Sequence, residues 1–228
     1  MSLSAVDAAY IKDVLPFWGD LAGAQQQDIL AYASARHYEI GESLHNGSAD
    51  CLGIYVVKSG QVRVFTLSPT GKEITLFRLF ERDICLLSAS CVMKNISFEV
   101  HIEAERPTEI VLIPTPLYNR LTHTSLAVSD YSNQLMASRF SDVMWVMEQV
   151  LFSSFDKRLA HFLLEQAAID GSDTLTITHE TIARHLGSAR EVVTRMLKYF
   201  QSEGMVSLSR GGVEITSRER LEGLAEGE

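Results

Sequence analysis

The hydrophobic positions of this chain change their spacing along its length, and each change predicts a different kind of structure. Between residues 6 and 35 the apolar residues fall in clusters typical of short helices. From Glu39 to Pro114 they occur in short alternating or β-branched runs, separated by turn residues. Strands this short and regularly spaced predict an antiparallel jelly roll or sandwich.

A helical pattern begins near Ser129 and continues to Phe155. Apolar residues recur there at intervals of 4, 3, 4 and 3, namely Met136, Phe140, Val143, Met147 and Val150. Such a heptad stripe favours a long helix that pairs with its copy in a dimer. The alternative is a helix that buries the same stripe against its own sheet. Residues 156–168 predict a further amphipathic helix.

The segment from Thr178 to Phe200 has the pattern of a helix-turn-helix. Its first helix has an apolar face that includes Ile182 and Leu186, and Gly187 permits a tight turn after it. We predict that Ser188 and Glu191 form a capping box that starts the second helix. The apolar residues of that helix follow at helical spacing, namely Val193, Met196, Leu197 and Phe200.

The opposite face of the second helix carries residues suited to DNA. The candidate DNA-binding residues are Ser188, Arg190, Glu191, Thr194, Arg195 and Lys198. Arginine can bond guanine O6 and N7, glutamate can accept from cytosine N4, and Lys198 is placed for a phosphate. The alternative is that Glu191 only caps the helix and the arginines are solvated. Strand patterns at 205–210 and 213–216 flank Gly211-Gly212 and predict a hairpin wing, which favours the DNA-binding interpretation.

Composition limits the classes of protein to consider. The chain has 228 residues and a formal net charge of -9, but residues 179–201 carry four basic residues against two acidic ones. Affinity for DNA would therefore depend on a focused patch and on dimerisation. No apolar run approaches the roughly 20 residues that cross a bilayer, so we expect a cytoplasmic protein. The three cysteines are too few and too scattered for a disulfide framework or a zinc site.

These patterns together predict an α+β protein. Residues 1–128 would form a jelly-roll β-barrel domain, residues 129–155 a dimerisation helix, and residues 156–228 a winged helix-turn-helix DNA-binding domain. With the segment from Val56 to Val64, these features resemble, in their order, the Crp/Fnr family of bacterial regulators. The resemblance spans roughly residues 15–216. It implies that residues 1–128 are a cyclic-nucleotide-binding-like sensor domain. It also implies a homodimer on a palindromic site, with RNA polymerase as a partner, and places Arg190, Glu191 and Arg195 where family members contact bases.

The sensor region departs from the family members that bind cyclic AMP. Those members carry a Gly-Glu pair and a later Arg-Ser pair, whereas this chain has Arg82-Asp83 followed by apolar residues, and Phe98-Glu99. Glu99 beside a phosphate would repel it, so we do not expect cyclic AMP to bind. An iron-sulfur cluster of the Fnr type needs four cysteine ligands, and this chain has three.

Two kinds of signal remain, a small organic effector or haem that detects nitric oxide or carbon monoxide. The candidate effector-pocket residues are Leu86, Leu87, Ser88, Cys91, Phe98, Val143 and Met144. His101, Met144 and Met147 could ligate haem, although each also suits ordinary packing. The three cysteines, Cys51, Cys85 and Cys91, could sense redox state, although buried cysteine usually behaves as a small hydrophobe. A rival hypothesis is a metal-dependent jelly-roll enzyme with a C-terminal interaction domain, but His45 and His101 do not form the ligand cluster that it needs.

Overall fold

The computed structural model describes residues 3–47, 52–87 and 99–227. The chain divides into two compact units. The first unit comprises Met1–Leu67 and Leu76–Val143, and the second comprises Ser68–Thr75 and Met144–Glu228. The division after Val143 falls inside one continuous helix, Leu126–Phe152.

The first unit contains helices that precede and follow a set of β-strands. Its helices are α1 (Ala5–Val14), a 3₁₀ turn (Trp18–Asp20), α2 (Gly23–Tyr32), α3 (Thr115–Thr124) and the first part of α4 (Leu126–Phe152). Its strands are β1 (Ser34–Tyr38), β2 (Ser43–Asn46), β3 (Gly53–Ser59), β4 (Val62–Leu67), the part of β5 (Glu73–Leu79) that begins at Leu76, β6 (Ile84–Cys85), β7 (His101–Ala104) and β8 (Thr108–Pro114).

The strands form two four-stranded sheets, in the orders β1-β8-β3-β6 and β2-β7-β4-β5. Apart from β4 and β5, which are neighbours in one sheet, strands that follow each other in sequence lie in different sheets. The pairs whose register is given are antiparallel. This is the predicted jelly roll. In β4, Val62 and Val64 are buried in the apolar cluster between the sheets, as period-2 alternation requires.

A second apolar layer lies on the outer side of the first sheet. Ile54, Val56, Val111 and Ile113 of β3 and β8 pack there with α1, α2, α3 and the start of α4. Specific polar contacts fix α1 in this layer. The Tyr10 hydroxyl donates to the Val57 carbonyl at 2.6 Å, so the helix has one orientation on the sheet.

The second unit is built around one apolar cluster. Its elements are α5 (Phe155–Asp170), β9 (Thr174–Leu175), α6 (His179–Leu186), α7 (Arg190–Ser202), β10 (Val206–Ser209), β11 (Gly212–Ile215) and α8 (Arg218–Glu226). The three strands form a sheet in the order β10-β11-β9. Leu159, Leu163, Val193, Leu197 and Phe200 are fully buried at its centre.

Several elements differ from the prediction. The predicted helical pattern reaches Ala35, but α2 ends at Tyr32 and residues 34–38 form β1, which pairs with β8 along its whole length. Helices α3 and α8 were not predicted as separate elements. Strand β1 lacks alternating burial, so pairing with β8 rather than local pattern determines its conformation.

Candidate nucleic-acid interface

Helix α6 is the first helix of the predicted helix-turn-helix. Thr178 caps it, since its hydroxyl accepts a hydrogen bond from the Thr181 amide at 3.1 Å. Ile182 and Ala183 are buried on its inner face. The helix ends at Gly187, whose φ of 63° lies in the left-handed region. Gly187 therefore makes the tight turn that the sequence predicted.

Helix α7 begins one residue later than the capping-box prediction requires. Its N-cap is Ala189, which has no side-chain acceptor, so the capping box of Ser188 and Glu191 is wrong. The Ser188 amide instead donates to the Ala183 carbonyl at 3.0 Å. Ser188 thus helps to terminate α6. Glu191 lies in the first turn of α7, exposed to solvent.

The two faces of α7 differ in burial and polarity, as predicted. Its inner face is buried through Val193, Leu197 and Phe200. Its outer face lines one open groove, with Arg190, Glu191, Thr194, Arg195 and Lys198. The structure therefore brings together five of the six candidate DNA-binding residues in one place; Ser188 is half-buried just before the helix.

Among the described residues, the cations of this groove have no acidic partners. Within the described residues, Arg190, Arg195 and Lys198 make no ion pair, and all three are exposed. The N-terminal end of a helix also carries partial positive charge. The groove is thus electropositive in a chain whose net charge is -9, and its arginines can bond base edges or phosphates.

One contact across the two helices was not predicted. His179, in the first turn of α6, places its ring Nδ1 2.9 Å from the hydroxyl oxygen of Thr194 on α7. Burial and then the positive charge of Arg190 lower the pKa of His179 below its ordinary value. His179 and Arg190 also line a cleft beside Gly211 and Gly212. The imidazole is therefore neutral at pH 7 and engaged with the outer face of α7.

The wing follows the prediction with one change. Strands β10 and β11 pair from Val206 with Ile215 to Ser209 with Gly212. Because Gly212 is paired, the turn consists of Arg210 and Gly211 rather than the two glycines. Strand β9 adds a third strand through Leu175 opposite Val213.

The segment Ser68–Thr75 packs on α6 and on the turn after it, within the second unit. Glu73 accepts a hydrogen bond from the Arg184 guanidinium at 3.0 Å. Thr75 and the ring of His185 are hydrogen-bonded at 2.8 Å. A β carbon on Gly187 would lie 2.4 Å from the Ile74 side chain. Sequence reasoning missed these contacts because their partners lie more than a hundred residues apart.

The effector-pocket candidates occupy different places. Leu86 is buried in the layer formed with the helices, whereas Leu87 is buried in the cluster between the sheets. Val143 and Met144 are half-buried on α4. Ser88, Cys91 and Phe98 lie outside the described residues, as does Cys51. Cys85 is buried in the cluster between the sheets.

The histidines weighed as ligands have packed environments. His101 is hydrogen-bonded to Asn46 at 2.9 Å and stacked on Phe65 with ring centroids 5.3 Å apart. His45 is buried in β2. In the parts of the chain that the structure describes, no group of three His, Cys, Asp or Glu side chains could hold a metal ion.

The predicted dimer stripe on α4 is exposed at three of its five positions. Phe140, Met147 and Val150 are 65%, 44% and 42% exposed, and Val143 is half-buried. Met136 instead packs against both apolar clusters of the first unit. Across residues 3–47, 52–87 and 99–227, we find no helix with the length and hydropathy needed to span a bilayer.

Known proteins resemble both units. Residues 157–224 match the Crp-like helix-turn-helix domain. The chain is 26% identical to the cyclic AMP receptor protein of Thermus thermophilus over 212 residues, 93% of this chain and 97% of that one. It is 28% identical to the transcriptional activator Anr of Pseudomonas protegens over 198 residues, 82% of this chain and 78% of Anr.

A solved structure extends the match to almost the whole chain. It is described as a transcriptional regulator of the Crp/Fnr family from Eubacterium rectale ATCC 33656, and it is 52% identical to this protein. The match covers 94% of this chain and 100% of that one, with a TM-score of 0.92. With its jelly roll, its long helix and its winged helix-turn-helix, the chain thus belongs to the Crp/Fnr family of DNA-binding transcription regulators.

Proposed function

We propose that this protein is a homodimeric transcription regulator that binds a two-fold symmetric DNA site in the cytoplasm and is controlled by an effector in its jelly-roll unit. The groove on α7 is the observation that carries the DNA-binding part. Three exposed cations and one carboxylate lie on the face opposite a buried apolar stripe. A helix with such a face fits the major groove.

The exposed face of α4 supports the dimer. Phe140 and Leu151 are 65% and 61% exposed, and Met147 and Val150 lie on the same side of the helix. A contiguous apolar surface on one helix marks an interaction site. Pairing of this helix with its copy would cover it, and two copies would set two α7 helices about one turn of DNA apart.

The candidate pocket residues Leu86 and Leu87 favour an organic effector of low polarity, because both are buried and apolar. A ligand that favours one arrangement of paired α4 helices would shift the population of DNA-binding dimers. We do not propose cyclic AMP, because Arg82 stands in the stretch that departs from the cyclic-AMP pattern and is bonded to Asp13 at 2.8 Å. Haem remains a second candidate, and RNA polymerase is the partner that the family implies.

DNA selection tests the central part of the proposal. The full-length protein is incubated with a random duplex library, and bound sequences are recovered and sequenced. We expect a two-fold symmetric motif, bound with an affinity that falls steeply as salt rises, because Lys and Arg displace counterions from phosphates. Equal recovery of all sequences would overturn base-specific recognition.

Oligomeric state tests the role of α4. Sedimentation should give a dimer for the wild type and a monomer for Phe140→Glu together with Met147→Glu. The matched control is Glu148→Gln with Ser141→Glu, two exposed positions of the same helix outside the apolar stripe. A monomeric wild type, or dimers of the stripe variant as stable as the wild type, would contradict the dimer.

Absorption spectroscopy separates the two effector classes. Purified protein is titrated with haem, and nitric oxide or carbon monoxide is added to the reduced complex. A saturable change at one haem per subunit, with gas-dependent DNA affinity, would favour haem. Non-saturable uptake would remove haem, and the organic effector would then be sought by thermal stabilisation in a compound screen.

A further inference from the structure

The contact between His179 and Thr194 assigns a new role to both residues. Of the five described residues that line the α7 groove, Thr194 alone carries no charge. Its hydroxyl oxygen lies 2.9 Å from Nδ1 of His179, which belongs to the other helix of the motif. The polar end of Thr194 is thus engaged inside the protein, although the residue itself lines the groove.

This bond selects one rotamer of Thr194. Threonine in a helix divides its χ1 between two staggered positions, because its hydroxyl can also bond a backbone carbonyl one turn earlier. A bond to an imidazole on α6 removes that choice. Since Cβ carries the hydroxyl and the methyl about 120° apart, turning the hydroxyl towards His179 turns the methyl away from it.

His179 is half-buried in the first turn of α6, directly after the Thr178 cap. The neighbouring Arg190 disfavours a second positive charge, so the ring stays neutral. In either neutral tautomer Nδ1 can bond the hydroxyl, as donor or as acceptor, and both tautomers hold Thr194 in the same position.

We propose that His179 is a specificity-determining positioning residue, which directs the γ-methyl of Thr194 to the DNA so that it contacts the C5-methyl of a thymine. Apolar contact with that methyl is a known means of recognising thymine in the major groove. The inference rests on the proposed DNA-binding function and deepens it: four groove residues recognise charge and hydrogen-bonding groups, and Thr194 recognises a methyl group.

Removal of the thymine methyl tests this directly. The highest-affinity duplex selected by the full-length wild type is resynthesised with each thymine replaced in turn by deoxyuridine. At each of two symmetry-related positions, we expect a single replacement to lower the affinity about fourfold, because it removes one buried methyl group. No loss at any thymine would overturn the inference while leaving the selected site, and so the proposed function, intact.

Variants locate the contact. Thr194→Ser keeps the hydroxyl but lacks the methyl, so the deoxyuridine penalty at that pair should disappear. Thr194→Val keeps a methyl and should retain the penalty. A penalty that persists in Thr194→Ser would overturn the assignment to Thr194. If the wild type selects no sequence at all, the proposed function itself fails, which is a separate result.

The role of His179 has its own readout. His179→Ala should remove most of the deoxyuridine penalty, because Thr194 can then rotate, while affinity for non-specific DNA stays within about twofold. His179→Asn keeps a polar group near the position of Nδ1 and should restore the penalty. An unchanged penalty in His179→Ala would overturn the positioning role, and equal losses on all DNA in both variants would show that His179 acts only on folding.

Discussion

The two units use positive charge in opposite ways. In the first unit, Lys58 bonds two carboxylates at 2.8 and 2.9 Å, and Arg78, whose side chain is 5% exposed, bonds Glu105 at 2.9 Å. In the α7 groove, Arg190, Arg195 and Lys198 are exposed and, among the described residues, without an acidic partner. The paired cations of the first unit hold its elements together, and the exposed cations of the α7 groove are available to an anionic partner.

This difference separates stability from binding. A paired and buried cation is expensive to lose, because its carboxylate is left behind in a poor solvent. An exposed and unpaired cation contributes little to folding, and its removal is felt when an anion binds. Substitutions of the paired cations in the first unit should therefore change the free energy of unfolding. Substitutions of the cations in the α7 groove should change the affinity for DNA, provided that the helix-turn-helix stays folded.

The turn at Gly187, between α6 and α7, gives the largest expected effect on the free energy of unfolding. Gly187→Ala forces a β carbon to 2.4 Å from Ile74 at a left-handed φ of 63°. We expect a loss of about 2 to 4 kcal/mol in unfolding free energy, from the left-handed backbone and from overpacking. Urea unfolding would be followed by Trp145 fluorescence in a Trp18→Phe background, since Trp145 belongs to the second unit.

Gly171→Ala is the matched control. Gly171 ends α5 at nearly the same φ, 62°, but a β carbon there would have no neighbour within 4 Å. It should cost only about 1 to 2 kcal/mol, and Ile74→Ala should recover part of the loss in Gly187→Ala only. Equal costs at the two glycines would show that the Ile74 contact does not matter.

The next effect lies in the paired charges of the first unit. Arg78→Met leaves Glu105 with a donor from Gln61 at 2.7 Å but without the guanidinium, so we expect a loss of about 2 to 3 kcal/mol in stability. Trp18 would be the reporter in a Trp145→Phe background. Arg120→Met, which removes an exposed pair with Asp28, should cost less than about 0.5 kcal/mol.

Arg195→Ala should give the opposite result. Unfolding free energy should stay within about 0.5 kcal/mol of the wild type, while affinity for the selected site falls about 10- to 100-fold, with relaxed preference at one base position. Lys198→Ala should weaken binding to all sequences evenly and reduce the salt dependence. A stability loss in Arg195→Ala as large as that in Arg78→Met would break the comparison between the units.

The helix-turn-helix could be predicted because its signals are local. The apolar residues of α7 fall at helical spacing, Gly187 follows the last apolar residue of α6, and glycines punctuate the wing. The same local rules failed at the start of α7. The Ser188 amide bonds the last turn of α6. The four-residue capping-box pattern does not include α6, so it could not predict this bond.

Contacts between distant residues were outside the reach of sequence reasoning. Ile74 against Gly187 depends on how the chain folds, and so does the pairing of β1 with β8. The bond from His179 to Thr194 depends on the packing of α6 on α7. Three pocket candidates, Ser88, Cys91 and Phe98, lie outside the described residues, and the effector stays a proposal.

The smallest expected effect is the pH-dependent contribution of the Asp7–Lys58 pair to the stability of the first unit. The bonds from Lys58 and then Ser4 lower the pKa of Asp7 below its ordinary value of 3.8. A lowered folded-state pKa stabilises the first unit above the unfolded-state pKa, and this stability is lost as pH falls through the folded value. Asp7→Asn should therefore be about 1 kcal/mol less stable than the wild type at pH 7, with a difference that shrinks from about pH 4 downwards.

The control for that measurement is Asp20→Asn, an exposed carboxylate on the 3₁₀ turn. At pH 7 its stability should stay within about 0.5 kcal/mol of the wild type. A difference between Asp7→Asn and the wild type that stays constant down to about pH 2 would mean that the amide loses packing rather than charge. The Lys58 pair would then stabilise α1 by geometry alone, and the contrast with the α7 groove would rest on Arg78.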